Sequence, residues 1–292
     1  MSWRIVVVTG MSKLDYNLGY VVIRKRDNTT RIHISEIGLL MIESTMSSCT
    51  MVVLAELIKN KVNVIFCDEK HNPISQLLSL YGSHDTSAKI RKQIHFSEDI
   101  KKQVWTEIVS EKIKQQKSLL KMFQKTEASD LLQLYVENIA YNDETNREGH
   151  AAKVYFNALF GKSFTRSEKN PINAALNYGY GIIISCFSRE IVCQGYLTQL
   201  GIFHDNMFNQ FNLSSDLMEP FRCLVDKQVV LLNPNKFEQE EKIEILNILN
   251  EEVVIDGKRQ YVANAIKIYV RSIFDALNEE DISLIKFYRY EL

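Results

Sequence analysis

"YGSHDTS", residues 81 to 87, gathers a glycine, two serines, an aspartate and a threonine between two differently patterned halves of the chain. Turn-forming residues clustered in this way mark a connection between elements. The stretch decides the fold, because strand-like runs precede it and helix-like runs follow it. Upstream, WRIVVVT (3–9), LGYVVIRK (18–25) and TRIHISE (30–36) are rich in Val, Ile and Tyr. The last two flank Asp27-Asn28, which predicts a hairpin. A short helix is expected at about 50–60, with Val52, Val53, Leu57 and Ile58 on one face, and VNVIFCD (62–68) reads as a buried strand. Downstream, Ser97 can cap a helix with Glu98 and Asp99 in its first turn and an apolar side through Ile100, Val104 and Ile108. Asn170-Pro171 opens a long apolar helix that is expected to end near Gly201. The reading is an α+β protein: a β-rich domain over residues 1–80, a linker over 81–88, and a larger all-α domain over 89–292.

The totals narrow the function classes. At 292 residues, 46% hydrophobic and 24% charged, the chain has the composition of a globular protein. No run approaches the roughly 18 apolar residues that span a bilayer. IVVV near the start reads as a first strand and not as a signal peptide, so a cytoplasmic protein with no membrane partner is expected. Cys49, Cys67, Cys186, Cys193 and Cys223 are odd in number and form no C-x-x-C pair, which argues against a disulfide frame or a zinc ribbon. The net charge of -1 gives no global attraction to nucleic acid. A local patch could supply one: Lys89 to Lys125 holds ten Lys or Arg and four Asp or Glu. It reads as a solvated face or as a phosphate-contacting surface with Lys89, Arg91, Lys92, Lys101 and Lys102. The six glutamates of 238–252 read as a solvated acidic face.

Several chemistries are excluded. Gly161-Lys162-Ser163 imitates the end of a phosphate-binding loop, but Phe156 stands where its first glycine is required. No dinucleotide fingerprint, H-E-x-x-H or G-x-S-x-G motif is present, and His33, His71, His84, His95 and His150 have no ligand-like company. LGIFHDNMFNQFNLSSDLMEPFR (200–222) is different, because it sets His204 and Glu219 in apolar surroundings. A third candidate is Glu148, which shares a helical face with Ala152, Tyr155 and Leu159. Each also has a structural reading. Thr145-Asn-Arg-Glu148 fits a capping box. Glu219 could satisfy backbone donors freed by Pro220, Asp216 could be a first-turn charge after Ser214 or Ser215, and His204 could be a hydrogen-bonded core histidine. A shared cation would offset the cost of burying three ionisable groups. Two carboxylates and an imidazole suit Mg²⁺ or Mn²⁺ and phosphoryl chemistry better than structural zinc.

REGHAAKVYFNALFG (147–161), NPINAALNYGYGIIIS (170–185), LGIFH (200–204) and DLMEPFR (216–222) resemble, in order and spacing, the signature of CRISPR-associated protein one. A weaker likeness runs through ISEIGLLMIESTMSSCTMVVLAELIKNKVNVIFCDE (34–69). NYGY, MEPFR and the compact length are most similar to members from type II systems. The resemblance implies a β-rich N-terminal domain used for dimerisation and a helical catalytic domain. It implies a metal-dependent DNA endonuclease and integrase that inserts spacer fragments at the leader end of a CRISPR array. Glu148, His204 and Glu219 would be the catalytic metal ligands, supported by Asp216 and Arg222. The implied partners are the double-stranded DNA of the spacer and repeat, a second copy of the chain, CRISPR-associated protein two in a heterohexamer, and other type II adaptation proteins. Many members carry aspartate at the position of Glu219 and proline at that of Cys223; the first difference keeps a carboxylate and the second lies outside the ligand set. Two other readings remain open: a general structure-selective nuclease on branched DNA, and a non-catalytic scaffold in which Glu148 is a cap and His204 a core residue.

Overall fold

The computed structural model describes residues 4–80 and 82–290; Trp3, at the head of the first strand run, and Tyr81, at the head of the connecting stretch, lie outside the described residues. The chain divides into two compact units. The first comprises residues up to Thr86 together with Val192–Tyr196, and the second comprises the remainder.

Among the described residues the first unit is built on two four-stranded sheets and helix Met51–Lys59. Strands β1 (Arg4–Val8), β5 (Ile37–Ile42), β7 (Asn63–Cys67) and β8 (Pro73–Leu77) lie side by side in that order, the first three parallel and β8 antiparallel. β5 is an interior strand of this sheet, and its near-continuous apolar run, IGLLMI, is what burial on both faces requires. The second sheet has the order β4 (Thr29–His33), β3 (Tyr20–Arg24), β2 (Lys13–Asn17) and β6 (Ser48–Cys49). β3 and β4 form the expected hairpin, closed by the Lys25 amide donating to the Asn28 carbonyl at 2.8 Å. Leu14, Val21 and Ile23 share a core with Val8, Leu40 and Val64 and with Val53 and Leu57 of helix α1 (Met51–Lys59). Val52 does not belong to that face: it is 50% exposed, as a residue displaced about 100° around the helix from Val53 must be. Sequence periodicity did not resolve β2, β6 or β8, which are short and half polar.

The second unit is helical. Helix α2 (Thr86–Ile94) begins inside the stretch read as a linker, because the Thr86 hydroxyl accepts from the Ser83 amide and donates to the Ser83 carbonyl. Helix α3 (Glu98–Met122) starts at its Ser97 cap and packs against α4 (Thr126–Glu137), α5 (Arg147–Phe160), α8 (Arg222–Leu232) and α10 (Val262–Glu279). Helix α6 (Pro171–Cys193) opens where Asn170 accepts from the Asn173 amide. It ends at Cys193 and not near Gly201, as Gly195 turns the chain at a φ of 89°. The short α7 (Asn212–Leu217) and α9 (Gln239–Leu246) complete the helices. One hairpin, β9 (Glu252–Ile255) with β10 (Lys258–Tyr261), adds strand structure to a region expected to be all helix. Among the described residues no disulfide joins any of the five cysteines, and no helix is long and apolar enough to cross a membrane.

Gly179 lets α6 approach α8 and α9 closely: a Cβ there would lie 2.4 Å from Val225 Cγ1 and 3.1 Å from Ile245 Cγ2. Gly179→Ala is expected to lower stability by about 1–3 kcal/mol through overpacking, read as a lower midpoint in denaturant unfolding.

Candidate metal centre

Three separate elements bring the central groups together. Glu148 stands in the first turn of α5, Glu219 opens a 3₁₀ turn (Glu219–Phe221) between α7 and α8, and Lys112 projects from the middle of α3. Lys112 is 5% exposed, and its ammonium donates to Glu148 Oε1 and to Glu219 Oε2. The Arg222 Nε donates to the other oxygen of Glu219 at 2.9 Å. Burial alone would raise the pKa of Glu219, but Arg222 and Lys112 outweigh it and hold the carboxylate at about 2. Burial pulls the Lys112 pKa down, while Glu219 and Glu148 together carry it above its ordinary value.

The capping box does not form. Asn146 caps α5, accepting from the Gly149 amide at 3.2 Å, and Asp143 accepts from the amides of Arg147 and Glu148 at 2.7 and 3.0 Å. With those donors satisfied, the Glu148 side chain is directed to Lys112 and not back to Thr145. Nor does Glu219 serve backbone donors beside Pro220, because both its oxygens are taken by side-chain cations.

Asp216 organises the histidine. It is not a first-turn charge: it lies near the end of α7, fully buried, with its carboxylate facing residues 202–204. Oδ2 accepts from the amides of Ile202 and Phe203 at 2.7 and 3.0 Å, and Oδ1 accepts from the amide of His204 at 3.2 Å and from its Nδ1 at 2.5 Å. A carboxylate can only accept, so Nδ1 carries the proton and Nε2 presents the lone pair when the ring is neutral. This bond to Asp216 is also the main reason that the imidazole pKa is raised. Gly201 makes the turn possible: a Cβ there would lie 2.1 Å from the His204 carbonyl oxygen. Phe203 stacks on Trp105 of α3 with centroids 4.3 Å apart, and His204 meets the same indole edge-on at 5.8 Å. The His204 side chain is 45% exposed, so it is not a core histidine.

Beneath the cluster, the Arg222 guanidinium lies 4.7 Å over the ring of Tyr180. The hydroxyls of Tyr180 and Tyr155 both donate to Asp226, which burial pushes up to about 6 despite those bonds. On another side, Gln93 of α2 bonds Leu197 and Leu200, which ties α2 to the segment leading into His204. Lys101 and His204 line one cavity of about 340 Å³. Lys101 pairs with Glu98, Lys102 lies one residue farther along α3, and α2 carries Lys89 together with the exposed Arg91 and Lys92.

Glu148 and Glu219 therefore meet at one ammonium, and His204, its ring turned by Asp216, lies within electrostatic reach of both carboxylates, which help to raise its pKa. No group of three or more His, Cys, Asp or Glu side chains among the described residues is arranged to hold a metal ion, and Lys112 engages one oxygen each of Glu148 and Glu219. The donor chemistry nevertheless fits a hard divalent cation: two carboxylates already sharing one positive charge, with an imidazole nitrogen nearby. Lys112 is the residue that sequence reasoning missed. It belongs to the basic run that reads as a solvated face or a phosphate-contacting surface, yet it continues the apolar series Ile100, Val104, Ile108 at the same spacing of four. A lysine in register with a core stripe is the signal that could have found it.

A family model described as "CRISPR associated protein Cas1" matches residues 5–255. The CRISPR-associated endonuclease Cas1 of Neisseria meningitidis serogroup C (strain 8013) is 34% identical over 233 residues, covering 80% of this chain and 76% of the relative. Among solved structures, a casposase bound to integration product superposes with a TM-score of 0.75 at 18% identity, over 96% of this chain and 92% of that one. A Cas6-RT-Cas1–Cas2 complex matches with a TM-score of 0.74 at 17% identity, over 99% of this chain and 36% of that longer chain. At these identities the two structures show a shared fold.

The charge state of Glu219 has a consequence for stability. Its folded pKa of about 2 lies below the ordinary 4.5, so the unfolded chain binds more protons in that range. The stabilisation is complete above about pH 4.5 and is lost as pH falls toward 2. Denaturant titrations should show wild type losing on the order of a few kcal/mol across this window, and Glu219→Gln, less stable at neutrality, losing distinctly less.

Proposed function

The chain belongs to the Cas1 family of CRISPR-associated proteins, and from that premise we propose that it is a metal-dependent DNA endonuclease and integrase that inserts short foreign DNA fragments at the leader end of a CRISPR array. The observation that carries this reading is the convergence of Glu148 and Glu219, from elements far apart in sequence, on one positive charge beside an oriented imidazole.

Glu148, Glu219 and His204 Nε2 would hold Mg²⁺ or Mn²⁺. Such a cation, when bound, polarises a phosphodiester and favours the attacking alkoxide. The remaining work belongs to the chain itself. Asp216 fixes the tautomer and direction of His204, as an outer partner of a metal-bound histidine does. Arg222, held against Glu219 and the face of Tyr180, keeps that carboxylate ionised. Joining transfers the bridging phosphorus from one sugar oxygen to the incoming 3′-oxygen, one P–O bond forming as another breaks, so it requires no ATP. Lys89, Arg91, Lys92, Lys101 and Lys102 would contact DNA phosphates on the side of α2 and α3 that leads to His204. The assembly in this reading is a homodimer that joins Cas2 in a heterohexamer around the spacer duplex, with other type II adaptation proteins at the repeat, in the cytoplasm.

The test incubates the protein and Cas2 with a short duplex and a CRISPR-array plasmid, in Mn²⁺ or EDTA. Wild type should join the duplex at the repeat boundary only with metal. Glu148→Gln should reduce joining by about 100-fold or more while folding and binding DNA as wild type does. Cleavage of many branched DNAs with no joining would replace this reading by that of a general structure-selective nuclease. Separately, DNA affinity should fall steeply with salt, and Arg91→Ala with Lys92→Ala should reduce the slope of log affinity against log salt by about 1 per residue.

A further inference from the structure

Lys112 is the member of the basic run that is buried in the site, and it sits where its charge is needed by both glutamates. With Lys112 on Glu219 Oε2 and Arg222 on Glu219 Oε1, each oxygen of that carboxylate is engaged by a cation, and Lys112 takes an oxygen of Glu148 as well. The four formal charges of Lys112, Arg222, Glu148 and Glu219 cancel. A divalent cation entering this neutral cluster meets two positive charges and finds both oxygens of Glu219 and Oε1 of Glu148 already engaged. Removing the ammonium without replacing it is also unfavourable, since it leaves two carboxylates facing each other with one cation fewer.

The two basic residues are not equally able to leave. Arg222 is held by Glu219 and by the Tyr180 ring. The Lys112 ammonium ends a flexible four-carbon stem and can turn to another anion within reach. A DNA phosphate in the site is such an anion, and its own negative charge offsets part of the charge that a metal brings.

We propose that Lys112 is a place-holding counter-ion that makes divalent-cation binding depend on DNA. In the free protein its ammonium occupies the carboxylates and the metal binds weakly. When a DNA phosphate draws the ammonium onto its own oxygens, Glu148 and Glu219 are released to the cation. By linkage, the factor by which DNA tightens metal binding equals the factor by which metal tightens DNA binding. Lys112 is thus a positioning residue for the carboxylates, and the inference rests on the metal-binding reading of the site given above.

The experiment is calorimetric titration of Mn²⁺ into the full-length protein, alone and saturated with a short duplex whose 3′ ends are dideoxy so that no joining occurs. Wild type should bind Mn²⁺ at least about tenfold more tightly with the duplex than without it. Lys112→Gln keeps hydrogen-bonding capacity but not charge. Alone, it should bind Mn²⁺ at least about tenfold more tightly than wild type alone, and the duplex should change its affinity by less than about threefold. Lys112→Arg, which restores the charge, should restore the dependence on DNA. Equal Mn²⁺ affinity of wild type with and without duplex overturns the coupling, a comparison that stands even if Lys112→Gln does not fold. Coupling in Lys112→Gln as large as in wild type overturns the role of Lys112. Mn²⁺ binding that Glu148→Gln leaves unchanged overturns the metal-site reading itself and this proposal with it, whereas binding that needs Glu148 but ignores DNA overturns the coupling alone.

Discussion

Charge balance at Lys112, Glu148, Glu219 and Arg222 is the constraint around which the helical unit is arranged. Lys112 and Glu219 are buried and each would be costly to bury alone, whereas Glu148 and Arg222 reach them from partly exposed positions. The chain meets that constraint with elements that are remote in sequence. α3 carries the ammonium at core depth, the N-terminus of α5 carries one carboxylate, and the 3₁₀ turn before α8 carries the other. The caps of α5 belong to the same arrangement: because Asn146 and Asp143 satisfy its first amides, Glu148 has no local demand on its side chain and can reach across to α3.

Several supports around the cluster are polar side chains held by named partners. Asp216 accepts three backbone amides and an imidazole, so the turn that carries His204 is bound to a carboxylate twelve residues farther along the chain. Tyr180 lies under Arg222, and its hydroxyl is anchored on Asp226 together with that of Tyr155. The C-terminal segment contributes as well: the fully buried Tyr288 donates from its hydroxyl to the Pro220 carbonyl at 3.0 Å, which braces the turn holding Glu219. Preorganisation of this kind keeps the functional groups within a narrow range of positions without a ligand present.

How much of this could be read from the chain varies with the physics of each element. The change from strand-like to helix-like patterning, the β3–β4 hairpin, the Ser97 cap and the Asn170-Pro171 start all follow from local rules, and all are present. Glu148, His204 and Glu219 are legible as ionisable side chains in apolar company, Asp216 and Arg222 enter through the family resemblance, and all five lie in the helical unit. Local rules also misled. Thr145-Asn-Arg-Glu148 has the letters of a capping box, but Asn146, in a left-handed conformation, takes the capping position. The helix opened by Asn170-Pro171 is expected to run to about Gly201, but Gly195 ends it at Cys193 by turning the backbone.

What the sequence by itself determined is the set of elements and the inventory of chemical groups. Period, caps and turn residues act over a few positions and are written in neighbouring letters. Which oxygen faces which nitrogen was decided only by the tertiary structure. Lys112 is indistinguishable by composition from the nine other basic residues between Lys89 and Lys125. Its register with Ile100, Val104 and Ile108 marks it for the core, but its partners lie 36 and 107 positions away, and contacts at that separation depend on how whole helices pack. Whether a lysine is a solvated charge or a buried counter-ion shared by two carboxylates is a property of burial, and burial exists only once the chain has folded.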